Sequence, residues 1–259
     1  MSVEALPFVN WIFWAALGAG SLVVLGATEL LGGTTSGYRL FMAWLLVVVA
    51  GVLVVSELGL APGTPADATS GMRRILVIGF ASGAVAYLVA SILKLPRAGL
   101  ALATGLVGIL ALAALAAAGG TWSAPLFVTQ LTLAALALGA VNAAMLLGHW
   151  YLVTPKLSPA PLRRLMWILV AALALQAAAF VVAVLTVSSG PLGGPIGWLT
   201  WLRLVVGILL PIGITVLAML ASTAASLQAT TGLLYIGLAF VTAGTIAGAS
   251  ITYLTGVPV

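Results

Sequence analysis

The sequence predicts an all-α polytopic membrane protein of about eight transmembrane helices, arranged as two four-helix bundles. Three observations carry this. Only 5% of the 259 residues are charged and 63% are hydrophobic, whereas a soluble domain carries about a quarter charged residues. The mean hydropathy is +1.30. The apolar runs are continuous and rich in Leu and Ala, so backbone groups are satisfied in lipid by helices rather than by alternating barrel strands. A span needs about 20 residues, and the length accommodates eight with short loops, leaving no segment for a soluble domain.

The spans fall at roughly 8–31, 38–60, 75–94, 99–118, 126–153, 165–188, 198–226 and 231–254. Breakers separate them: Gly32-Gly33-Thr34-Thr35-Ser36-Gly37, Pro62 to Gly71, Leu95-Pro96-Arg97, Gly119-Gly120, Pro155 to Pro161, and Gly190 to Gly197. The least marked boundary is at Thr230-Thr231-Gly232, between the last two helices. Trp11, Trp14, Trp44, Trp122, Trp150, Trp167, Trp198 and Trp201 all fall near span ends, where the indole lies in the headgroup layer. The two bundles divide the chain into residues 1–120 and 121–259.

The net charge of +5 resides at helix ends and reads as a topology signal, with lipid and not nucleic acid as the partner. Arg39, Lys94, Arg97, Lys156, Arg163 and Arg164 fall on one side, against Arg73 and Arg74 on the other. The first side is expected to be cytoplasmic. The protein is then a multi-pass protein of the cell membrane with both termini outside. The N-terminus lacks the basic segment of a cleavable signal peptide.

Ala15-Ala16-Leu17 with Gly20 recurs as Ala134-Ala135-Leu136 with Gly139, and in the same register Glu29 falls beside His149. Two halves of like orientation would produce this pattern, and so would chance matching of Ala/Leu-rich helices. Gly79 with Gly83, and Gly244 with Gly248, place small residues on single helix faces, which favours close helix packing in lipid. Pro211 removes a backbone donor from the seventh span and should kink it.

With no cysteine in the chain, disulfides, thiolate metal sites and iron–sulfur ligation are excluded. His149 is the only histidine, too few for a bis-histidine haem or a multi-imidazole metal site. No phosphate loop, nucleophile elbow or metalloprotease helix occurs. The remaining candidates are ionisable or polar groups at membrane depth, where they are costly. His149 is either a proton relay or quinone-carbonyl donor, or an interfacial cap. Asn142, on the same helical stripe, either extends a polar track or bonds a neighbouring helix. Glu29 either meets His149 as a proton relay or pairs with Arg39 or Lys156. Glu57 and Arg203 lie toward the outer side and either pair with each other or form a quinone head-group site. Thr242, Thr245, Ser250 and Thr252 either line a narrow path or join helices.

The chain resembles the NrfD-type family, the membrane subunits of polysulfide-reductase-like enzymes. The resemblance lies in the Gly-rich first helix, Leu17-Gly18-Ala19-Gly20, in Glu57-Leu58-Gly59 at the end of the second, and in the closing Tyr253-Leu254-Thr255-Gly256-Val257-Pro258. Where the family usually reads Asp-Leu-Gly-Arg-Pro, Leu60-Ala61-Pro62 follows here, without the arginine. The resemblance implies a quinone-interacting anchor that binds menaquinone or ubiquinone, holds no haem or metal, and passes electrons to iron–sulfur and catalytic subunits outside the bilayer. Whether such an anchor itself oxidises quinol or is non-catalytic is left open. A permease for a small solute is the rival reading; a non-catalytic assembly factor is a third.

Overall fold

The computed structural model describes residues 5–60, 65–118, 124–154, 157–186, 192–224 and 226–258. Within them the backbone is helical almost throughout, and there is no strand. The helices are α1 (Ala5–Leu31), α2 (Ser36–Leu58), α3 (Ser70–Ile92), α4 (Ala98–Ala118), α5 (Ala124–Val153), α6 (Ala160–Thr186), α7 (Gly197–Leu204), α8 (Leu210–Thr223) and α9 (Leu227–Thr255). A 3₁₀ turn, Pro65–Thr69, precedes α3. Helices α7 and α8 are one span joined by a wide π turn, Val205–Leu209, so eight segments are long and apolar enough to cross a membrane.

The last break falls between Thr223, which ends α8, and Leu227, which begins α9, several residues before the expected Thr230-Thr231-Gly232. Thr230 and Thr231 return their hydroxyls to the carbonyls of Ser226 and Leu227 and remain helical. The Pro211 effect is more specific than a kink. A proline ring crowds the carbonyl one turn earlier, and the helix meets this with the π turn, in which the Leu210 N–H reaches back to the Val205 carbonyl. Gly32 and Gly33, in the α1–α2 turn, have positive φ, which glycine adopts without steric cost. Thr35 then caps α2, its hydroxyl accepting the Tyr38 N–H at 3.3 Å.

Helix α1 packs on α2 and α4, and α3 bridges α2 and α4. Helix α5 packs on α6 and α9, and the seventh span bridges those two. Helices α1 and α5 lie against each other at the centre and are the most buried. Their contact is made by small residues: Gly20 and Ser21 of α1 lie against Ala135 and Gly139 of α5. In lipid, helix association rests on close backbone approach rather than on apolar burial, and these residues permit it. The expected division at residue 120 lies outside the described residues.

Further contacts tie the two groups of helices. The Tyr38 hydroxyl donates to the Ala143 carbonyl at 2.9 Å. Arg164 donates to the Leu31 carbonyl at 2.9 Å, placing a cation on the C-terminal end of α1, where the helix dipole favours one.

Candidate functional site

Charge inside lipid must be neutralised or used, so the buried ionisable groups define the candidate sites. Three arginines are buried among the described residues: Arg73, Arg97 and Arg203.

Arg73 begins α3 and Glu57 ends α2. They are 1% and 3% exposed, and the guanidinium grips the carboxylate in a fork, with Nε–Oε2 at 2.9 Å and Nη2–Oε1 at 3.0 Å. The guanidinium also lies 5.7 Å from the Trp11 ring centroid, a cation–π arrangement. Arg74 reaches the same carboxylate at 3.7 Å. The expected Glu57–Arg203 pair is therefore not formed, because Glu57 is occupied by Arg73. Trp11 departs from the headgroup-layer expectation: it is wholly buried, with Arg73 over its ring. Trp122 lies outside the described residues.

At the other end of the helices, Glu29 accepts a hydrogen bond from the Tyr87 hydroxyl and pairs with Arg97 at 3.3 Å. The pairing with Arg39 considered from the sequence gives way to this one, because the α3–α4 turn brings Tyr87 and Arg97 over the end of α1; Lys156 lies outside the described residues. His149 is exposed, with its Nδ1 3.5 Å from the Tyr235 hydroxyl. The conjectured Glu29–His149 relay is thus not assembled. Asn142 is buried and donates to the Ser21 hydroxyl at 3.1 Å; it bonds α5 to α1.

Arg203 is different. It is 2% exposed and lies six residues into α7, about 9 Å along its axis. No carboxylate of the described residues is within ion-pair reach. Its partner is an amide: with the Gln176 oxygen turned toward the donors, that oxygen accepts Arg203 Nη2 at 3.0 Å and the Ala134 N–H at 3.1 Å. Arg203 Nε has no hydrogen-bond partner. Beside it, Gln130 is 4% exposed and neither of its amide atoms is partnered. Ile12 of α1, Phe127 and Gln130 of α5, Arg203 of α7, and Thr245 and Thr252 of α9 surround a cavity of about 20 Å³. Both threonine hydroxyls already donate within their own helix, to the Val241 and Gly248 carbonyls.

One turn after Arg203, the seventh span meets α9 backbone to backbone. Gly207 lies against Gly244, so closely that a Cβ on Gly207 would be 2.4 Å from the Gly244 Cα. The π turn begins two residues after Arg203, as such turns often do at functional sites.

Gln130 and Gln176 were not singled out from the sequence. The available signal was an uncharged amide in an otherwise apolar run, as in Ala171-Ala-Leu-Ala-Leu-Gln176-Ala. A second signal was register. The alignment that sets Gly20 on Gly139 also sets Trp11 on Gln130 and Glu57 on Gln176. Each half thus presents a buried arginine from its third span to residues at matching places on its first two. In the first half these are an aromatic ring and a carboxylate; in the second they are two amides.

No protein-family model, no curated protein and no solved structure matches the chain.

Proposed function

We propose that this integral membrane protein is the quinone-interacting subunit of an oxidoreductase complex, with Arg203 and Gln130 as the polar end of the head-group site. One observation carries the reading: a buried guanidinium without a carboxylate lies beside an amide with neither polar atom partnered. This donor set suits a carbonyl oxygen, and the cavity has room for one atom of that size. Of the four residues singled out for quinone contact from the sequence, Arg203 retains an uncommitted donor. Glu57 is committed to Arg73, Asn142 to Ser21, and His149 lies at the opposite end.

Menaquinone or ubiquinone, when bound, supplies two-electron, two-proton redox chemistry. The chain's own part is electrostatic. Arg203 Nε and Gln130 Nε2 would hold a carbonyl oxygen, and a fixed cation in a dry site favours whatever negative charge develops there. Gln176 holds the guanidinium in place through Nη2. Electrons would leave to an extramembrane iron–sulfur subunit. In the orientation given by the basic residues, this site faces outward in the cell membrane, and Glu29 with Tyr87 and Arg97 lies at the cytoplasmic end.

The test is titration of the detergent-purified protein with a short-chain menaquinone analogue, alongside identification of co-purifying subunits. Saturable binding, weakened tenfold or more by Arg203→Leu and unchanged by His149→Ala, is expected. Absence of binding by the wild-type protein rejects the reading.

The size of the cavity, about 20 Å³, favours a second reading, a permease for a small solute. It predicts solute uptake by the protein alone in reconstituted vesicles, without partner subunits.

A further inference from the structure

The first half neutralises its buried arginine with a built-in carboxylate, and the second half does not. Glu57 and Gln176 occupy the same place in the repeated register, and each contacts the arginine of its own half, Arg73 or Arg203. An amide oxygen accepts one N–H but carries no charge. An unpaired cation buried at membrane depth costs several kcal/mol, and snorkelling does not relieve it here, since Arg203 is 2% exposed. The missing charge has to come from elsewhere.

We propose that the cavity beside Arg203 holds one small monovalent anion of halide size, which takes the part that Glu57 plays for Arg73. Three features support this. Arg203 and Gln130, whose Nε and Nε2 are uncommitted within the protein, both line one cavity. Both are immobilised by burial, so little ordering remains to be done on binding. The volume, about 20 Å³, exceeds the roughly 10–15 Å³ that one water-sized occupant requires. A tetrahedral oxyanion such as sulfate or phosphate is larger than that volume. No acidic side chain lines the cavity to repel an anion. The inference is independent of the quinone reading and concerns the protein with no head group bound.

The experiment measures thermal unfolding of the full chain in detergent, in chloride or bromide against gluconate at matched ionic strength and without quinone. A saturable rise in Tm with halide, of about 2–4 °C or more, is expected for the wild-type protein. Gln176→Glu should install the carboxylate of the first half and abolish the halide dependence while keeping the protein folded; Arg203→Met should abolish it as well. Line broadening of ³⁵Cl on the wild-type protein gives a direct readout that does not require either variant to fold. Equal stability in chloride and gluconate without ³⁵Cl broadening would overturn the inference. So would a halide effect of unchanged size in a folded Gln176→Glu protein. Either outcome leaves the quinone reading to its own analogue titration, performed in chloride-free buffer.

Discussion

Gly20 and Gly139 meet backbone to backbone where α1 crosses α5. A Cβ on Gly20 would lie 1.6 Å from the Ala135 carbonyl oxygen, and one on Gly139 would lie 2.1 Å from the Gly20 carbonyl carbon. The two residues that match in the repeated sequence are the two that touch at the centre of the molecule. Neither obstacle is a side chain that can turn away, so any larger residue must push the helices apart. Gly20→Val should cost about 3 kcal/mol or more, the upper end of overpacking effects, and yield heterogeneous protein on size exclusion. Gly51→Ala, where a Cβ meets nothing within 4 Å, is the control and should behave as wild type.

Glu57→Gln removes the counter-charge of a guanidinium that is itself buried. Breaking such a pair from one side costs about 3–5 kcal/mol, whereas replacing both partners with apolar groups is often neutral. The single variant should therefore unfold at a markedly lower temperature in detergent. The double variant Glu57→Leu/Arg73→Met should recover most of the loss. A single variant as stable as wild type would show that the pair contributes little.

Tyr87→Phe deletes one donor to the Glu29 carboxylate and leaves Arg97 as its partner. Hydrogen bonds to charged groups contribute about 1.5–3 kcal/mol, and a loss in that range is expected from thermal or denaturant unfolding. The same substitution should leave quinone-analogue affinity unchanged, because Glu29 lies at the end of α1 remote from Arg203.

Asn142→Ala removes the hydrogen bond from α5 to Ser21 of α1. Interhelical hydrogen bonds of this kind average about 0.6 kcal/mol in membranes, so a small loss of stability is predicted. Analogue affinity should stay within twofold of wild type. A tenfold loss of affinity would return Asn142 to the binding site.

His149→Ala should change stability by no more than about 0.5 kcal/mol, as for other exposed positions, since His149 is exposed and its polar contact among the described residues is a long one, 3.5 Å to Tyr235. Thermal unfolding checks this directly. A larger loss would reveal a buried role for the imidazole within the bilayer.

The scarcity of charge and the continuous apolar runs by themselves determined that the chain lives in lipid, that it is helical, and where its eight spans begin and end to within a few residues. Those properties follow from local composition, because lipid obliges each segment to satisfy its own backbone. Gly20 and Gly139 were also legible as a repeated pair. The partner of each charge was decided only by the tertiary structure. From the sequence Glu57 was set against Arg203, and the α2–α3 packing chose Arg73. Glu29 went to Tyr87 and Arg97, which the α3–α4 turn brings over the end of α1. Gln130 and Gln176 became notable once Arg203 was seen between them without a carboxylate. Pairing at membrane depth depends on which helix faces meet, and in helices apolar on every side the sequence pattern does not say which face turns inward.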